Sequence, residues 1–469
     1  MDTSQLSDRK DRTIINNYMK SGYMGLLLLE MEGITSLADL GGPEAIRGFL
    51  PEEFQDTFDL VQLPLLDVIL KEKNRASAKA VFRTAMDYFE LVNRELEAGK
   101  PHVQHYFAIA PEFMWAMDLV PVAHEALGAI SSIFYREGCE AGIDRTLAEG
   151  YPDHLCAAQT GSVGYLLDGL IPKPDVLVNN SAPCDASNMM YEYASNKFDI
   201  PLVMIESPYY QNERGWKYAI TEIKRAIEEL ERITGHTLDE DKLREHVEHS
   251  NEAISYFLKL QELKRLTPMP DTGWHRPADT LFLIQLGTPM SAAYYKALYE
   301  DAKARADRQG SVIPEGKKEK RLAWGYAWMA YDLPFFDWLE EEHGAVYTGD
   351  VLTYIPPHAG VVDTTSVETM IEGLAWRFMQ MPMGRQTMGF SDVWVNDFVT
   401  IVKQFKVDTL VLAGHMACKH FWALNKLLSD KVKEETGVPT LRFEVDMFDK
   451  RFTPGPEMRR IMNEYFASQ

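Results

Sequence analysis

Two stretches decide how this chain folds: Pro174-Asp-Val-Leu-Val-Asn-Asn-Ser-Ala-Pro-Cys184 and Val407-Asp-Thr-Leu-Val-Leu-Ala-Gly-His-Met-Ala-Cys418. Each opens with a short apolar, β-branched run of the kind that fills a buried parallel strand. A turn of small residues follows, then a cysteine, then a segment with helical character. In open α/β folds, ligands bind beyond the carboxyl ends of the strands. A thiolate placed there also faces the positive end of the next helix. With Cys156 upstream, the two cysteines make the set of three thiolates that a cluster would need. The chain has only four cysteines and no CxxC pair. Buried thiols in a reducing cytosol are therefore the plainer reading, and metal binding stands beside it.

The same alternation extends on either side. His105-Tyr-Phe-Ala-Ile-Ala reads as a first strand, with Pro111-Glu112 opening a helix. Val176–Val178 and Pro201–Ile205 are further strands, with a helix over Met189–Phe198 between them, which is a βαβ unit. Residues 216–272 form a charged, helix-periodic bridge that ends in the Pro268-Met-Pro linker. Beyond it, Arg321–Tyr326, Ala345–Asp350, Thr409–Ala413 and Thr440–Asp446 read as the strands of a second lobe, closed by a helix over Arg459–Phe466. Residues 1–100 read as a helical cap or subunit-contact layer, with loops at Gly41-Gly42-Pro43 and Leu50-Pro51. The expected architecture is α/β: two doubly wound parallel-sheet lobes of the flavodoxin or Rossmann type, over 101–215 and 273–469, plus the helical N-terminal region.

At 469 residues, with 48 basic and 70 acidic side chains and a formal net charge of −22, the surface repels phosphate backbones and anionic lipid. Nucleic acid and membrane are therefore excluded as expected partners. A local basic pocket remains compatible with an anionic substrate. Met1–Lys20 is polar and Leu26–Leu29 is too short to span a bilayer, which points to a cytoplasmic protein. No GxxxxGK[ST] loop is present, so ATP hydrolysis is not expected on this chain, and no HExxH or GxSxG motif occurs.

Tyr151-Pro-Asp-His-Leu-Cys156, Asn180-Ser-Ala-Pro-Cys184-Asp185 and His415-Met-Ala-Cys418-Lys419 resemble the three cysteine motifs of the 2-hydroxyacyl-CoA dehydratase and benzoyl-CoA reductase family. Gly437–Asp446, followed by Asp449–Phe452, is similar to that family's C-terminal stretch. The resemblance covers roughly residues 100–469 and implies a [4Fe–4S] cluster held by Cys156, Cys184 and Cys418, with one iron position open. It also implies an acyl-CoA substrate, a homologous second subunit and a separate ATP-hydrolysing iron–sulfur activator that supplies one electron at very low potential. The product would be an enoyl thioester in the dehydratase branch and a reduced aromatic ring in the reductase branch. Four cysteines are too few for the relatives that carry a double-cubane cluster. Outside the enzyme class, the rivals are an iron–sulfur scaffold without turnover and a cluster-free binding protein that uses the crevice between lobes.

Glu112 is similar to the Pro-Glu motif near the start of the family's first lobe, where a carboxylate takes a proton or positions substrate. Glutamate in a first turn is equally well explained by the helix dipole. His415, three residues before Cys418, is either a hydrogen-bond donor to the cluster or the thioester oxygen, or an ordinary loop histidine. Lys419 either offsets cluster charge or faces solvent, and Asp185 reads as a helix cap. Cys139 lacks a preceding strand and reads as a spare packed thiol. Trp324, Tyr326 and Trp328 form an aromatic group that reads as core before it reads as pocket wall.

Overall fold

The structure, a computed structural model, describes residues 25–31, 33–49, 63–134, 138–283, 285–326 and 328–469. The expectations for Met1–Lys20 and for Leu50-Pro51 lie outside the described residues. Two four-stranded sheets organise the chain. The first contains β1 (His102–His105), β2 (Val120–Ala123), β3 (Val176–Asn180) and β4 (Leu202–Ile205), in the order β2-β1-β3-β4. The second contains β5 (Lys320–Trp324), β6 (Ala345–Gly349), β7 (Thr409–His415) and β8 (Thr440–Val445), in the order β6-β5-β7-β8. Every pairing is parallel. The two lobes thus share one topology, with the strand order switching sides between β1 and β3 and again between β5 and β7. The central strands β3 and β7 are buried along their whole length, as their apolar runs require.

Two strand expectations need correction. The first strand is His102–His105, not 105–110. After Tyr106 the chain turns, with the Ile109 N–H donating to the Tyr106 carbonyl and the Phe107 N–H to Glu125. The apolar run therefore bends over the sheet's carboxyl edge instead of extending it. The second correction is β2, which sequence reading missed because it is four residues long and contains Pro121. The proline is tolerated because β2 is an edge strand with a partner on one side only.

Helices Glu213–Thr234, Glu240–Leu263 and Pro289–Asp307 form the layer between the sheets in chain order. The first carries a full set of signals: Asn212 caps it by accepting from the Gly215 N–H, and Gly235 ends it at φ 75°. The N-terminal helices Leu63–Leu70 and Glu72–Glu97 belong to the same apolar core as the first sheet. The lobes exchange elements as well. Val367–Gln380 packs with the first-lobe core, while Cys139, Ala157 and Ala158 join the second.

Candidate functional site

Each switch point of a doubly wound sheet opens a crevice at the strands' carboxyl ends. Here the two crevices face one another across a single cavity of about 110 Å³. Residues after β1 (Tyr106, Phe107) and after β3 (Cys184) line one side; residues after β5 (Tyr326, Trp328) and around the end of β7 (His415, Cys418) line the other. Cys156 lines it too, so the three expected sulfur ligands share one cavity. Cys139 does not: it is fully buried and donates to the Ala157 carbonyl at 3.6 Å.

All three lining cysteines occupy the same local position. Cys156 precedes helix Ala157–Leu167, Cys184 precedes Asp185–Phe198, and Cys418 precedes Lys419–Thr436. Each sulfur is stabilised as a thiolate by first-turn backbone N–H groups: Ala158 for Cys156, Ser187 and Ala186 for Cys184, Phe421 and His420 for Cys418. That field is worth about 0.3–1 kcal/mol, whereas burying an unpaired charge costs several. Burial wins. It pushes the Cys184 thiol up to about 12, the Cys156 thiol well above its usual range, and the Cys418 thiol up. The sulfurs also raise one another, Cys184 and Cys418 both acting on Cys156.

Such a trio is costly as three bare thiolates and becomes favourable once a cation shares the charge. Among the described residues, no three His, Cys, Asp or Glu side chains close on a single metal ion. An iron–sulfur cubane gives each thiolate its own iron, so its ligands stand further apart than donors to one ion. Three cysteine sulfurs on one cavity are, by donor chemistry, the kind that iron–sulfur iron takes.

His415 ends β7 and is buried. Its Nδ1 accepts from the Met447 N–H at 3.4 Å, which puts the proton on Nε2, 3.3 Å from Cys156 Sγ. Asp446 Oδ2 lies 3.5 Å from the same Nδ1. His415 thus ties the second lobe's central strand to a cysteine of the first. Glu112 is placed elsewhere. It is fully buried, accepts from Arg377 Nη1 at 2.8 Å, and is absent from the cavity wall. Asp185 is the first helical residue and not the cap, a position Cys184 takes. Its exposed carboxylate lies 3.9 Å from Lys419 Nζ across the two lobes.

Three lining groups carry more chemistry than the sequence signalled. Glu125, in the first turn of helix His124–Phe134, is the buried carboxyl of the wall. It accepts from Gln159 Nε2 at 2.6 Å and from the Phe107 N–H at 3.1 Å, yet burial raises it to about 7. Recognising the edge strand β2 would have exposed it, since the helix follows directly. Tyr326 holds a left-handed backbone at φ 88°, rare outside glycine. Its hydroxyl donates to Met383 Sδ at 2.9 Å and accepts from the Cys418 thiol at 3.3 Å, and its ring stacks on Phe421. Met383 is left-handed too, at φ 67°. Two residues with positive φ thus touch beside a candidate ligand. Trp328 lines the cavity with no partner for its Nε1 among the described residues, whereas Trp324 is core.

Among the described residues, no helix is long and apolar enough to cross a membrane. The model of the family described as 2-hydroxyglutaryl-CoA dehydratase, D-component, matches residues 107–461. The chain is similar to the alpha subunit of (R)-2-hydroxyglutaryl-CoA dehydratase from Acidaminococcus fermentans, with 22% identity over 60% of this chain and 57% of that protein. It is similar to the (R)-phenyllactyl-CoA dehydratase alpha subunit of Clostridium sporogenes, at 24% over 62% and 69%. A benzoyl-CoA reductase subunit of Thauera aromatica is 21% identical over 68% and 77%. The matched stretch thus spans a little over half of the first relative's length. With three cysteines of both lobes turned onto one cavity and a family match running from the first lobe to the last helix, the chain belongs to the 2-hydroxyglutaryl-CoA dehydratase D-component family.

Proposed function

We propose that this chain is the iron–sulfur subunit of an ATP-dependent radical 2-hydroxyacyl-CoA dehydratase. It works in the cytoplasm with a homologous second subunit and a separate ATP-hydrolysing activator. One observation carries the reading: Cys156, Cys184 and Cys418 precede three different helices and line one cavity between the lobes. These residues would hold a [4Fe–4S] cluster, which supplies one-electron reduction and an open coordination position. The protein's own groups do the rest. His415 Nε2–H, aimed at Cys156, stabilises charge on that sulfur. The Tyr326 hydroxyl does the same for Cys418 once that thiol has lost its proton. Glu125, raised to about 7, can hold or release a proton inside the cavity near neutrality. The apolar wall keeps bulk water from a reactive radical. Glu112, expected as the proton acceptor, is bound to Arg377, and in this reading it anchors the start of its helix.

The similarity to a benzoyl-CoA reductase subunit supports a second reading within the family, reduction of an aromatic acyl group. Iron and sulfide content of the anaerobically purified chain tests the cluster, repeated with each cysteine changed to serine. Loss of iron in Cys139→Ser but not in Cys156→Ser would overturn the ligand set. Adding partner subunit, activator, ATP and acyl-CoA then separates the readings: an enoyl thioester means dehydratase, a reduced ring means reductase, and a cluster without turnover means scaffold.

A further inference from the structure

The cavity also carries information about the acyl group. Buried Trp328, Trp394, Met447 and Phe448 line it, together with half-buried Phe107. Rings there already meet edge to face, Trp328 with Phe448 at 6.2 Å, an arrangement that accepts a further ring in the same geometry. Among the described residues, no arginine lines the cavity and the one lysine that does, Lys419, is exposed beside Asp185, as are His154 and His420. The buried histidine His415 is engaged by Met447 and Cys156. The buried carboxyl of the wall is Glu125.

Polar atoms left over point the same way. Tyr106 Oη, Gln159 Oε1 and Trp328 Nε1 line or edge the cavity and have no hydrogen-bond partner among the described residues. Buried polar groups of this kind need a partner. All three are neutral. They can satisfy a carbonyl or hydroxyl oxygen, but they cannot neutralise a second carboxylate brought beside Glu125.

We propose that the cavity takes an uncharged, ring-bearing acyl group of a CoA thioester and rejects acyl chains that end in a second carboxylate. This rests on the acyl-CoA reading above and adds the class of acyl group to it.

The test uses the full chain, purified anaerobically, with iron content read on the same sample. Three unreactive thioesters are titrated: 3-phenylpropionyl-CoA, glutaryl-CoA and acetyl-CoA, with quenching of tryptophan fluorescence as the signal. The ring-bearing thioester should bind tighter than acetyl-CoA by about tenfold or more, from the apolar area it buries. Glutaryl-CoA should bind no tighter than acetyl-CoA. Glu125→Gln should improve glutaryl-CoA binding relative to that of the ring-bearing thioester. Equal affinity for all three, or tightest binding of glutaryl-CoA, overturns the proposed class while leaving the acyl-CoA reading intact. Binding of none of the three by an iron-containing chain overturns both.

Discussion

The turn that ends in Cys184 is held by side chains of its own neighbourhood, whereas the turn that ends in Cys418 is tied to residues far away in the chain. In the first, Asn179 Nδ2 donates to Asn188 Oδ1 at 2.9 Å and Asn188 Nδ2 donates to the Ser181 carbonyl at 3.0 Å. Ser207, on the loop after the adjacent strand β4, adds a contact from its N–H to Ser181 Oγ at 2.9 Å. In the second, His415 reaches Cys156 of the other lobe, and Cys418 reaches Tyr326 at the end of β5. The same topology and the same strand–turn–cysteine–helix order are thus stabilised in two ways. One turn is a self-contained polar unit. The other also reaches across the lobes through His415, so the sulfur it touches there is Cys156.

The largest expected effect breaks both junctions alike. Cys184→Ser and Cys418→Ser should each abolish iron binding, and Cys139→Ser should leave it in place; iron and sulfide analysis under strict anaerobiosis reads this. Retention of iron in either lining mutant would separate the two junctions and remove one from the ligand set.

The second effect probes the support behind the second lobe's side of the cavity. His275 is buried between Asp271 (3.2 Å) and Asp279 (2.9 Å), on the segment that leads to cavity residues Thr280 and Leu281. Asp279→Asn removes one countercharge and should cost about 3 kcal/mol in urea unfolding. Despite the cost of burial, the two carboxylates raise His275 to about 10. Its folded pKa lies above the unfolded value of about 6.5, so its contribution is complete below that value and is lost as pH rises through 10. Wild-type stability should therefore fall between pH 7 and 10, and a His275→Gln variant should show a flatter profile over that window.

The third effect isolates the self-contained turn. Asn188→Ala removes both of its bonds and should destabilise the chain by about 1–3 kcal/mol. Alkylation of Cys184 should speed up as the turn loosens, with Cys418 unchanged. An equal change at Cys418 would mean that the two turns are coupled after all.

The smallest effect sharpens the distant one. Tyr326→Phe deletes one hydroxyl and should cost about 1 kcal/mol. The hydroxyl stabilises the Cys418 thiolate, so its loss should slow alkylation of Cys418 selectively. In the iron-loaded chain it should move the reduction potential to a more negative value. An unchanged potential would reduce Tyr326 to a packing residue.

The self-contained junction was readable in advance, because Asn179, Asn180, Ser181 and Asn188 lie within ten residues of one another and turn chemistry is local. The strands β3, β4 and β5–β8 were readable for a similar reason: short apolar runs bounded by turn residues fix strand character without reference to the rest of the chain. The edge strand β2 was not. Pro121 argues against a strand until a partner on one side only is known, and missing β2 concealed Glu125 at the start of the next helix. Tyr326 was visible only as one aromatic among several, since a left-handed backbone at a tyrosine has no local sequence signature.

Residue order alone therefore determined two parallel-sheet lobes and a cysteine at the head of the helix after each one's third strand, because hydrophobic periodicity and turn preferences act over a few residues. Tertiary structure alone decided that Glu112 pairs with Arg377 away from the cavity, and that Glu125, Tyr326 and Trp328 face the sulfurs' cavity. Burial and pairing are sums over neighbours contributed by distant parts of the chain, and no local window of sequence contains those neighbours.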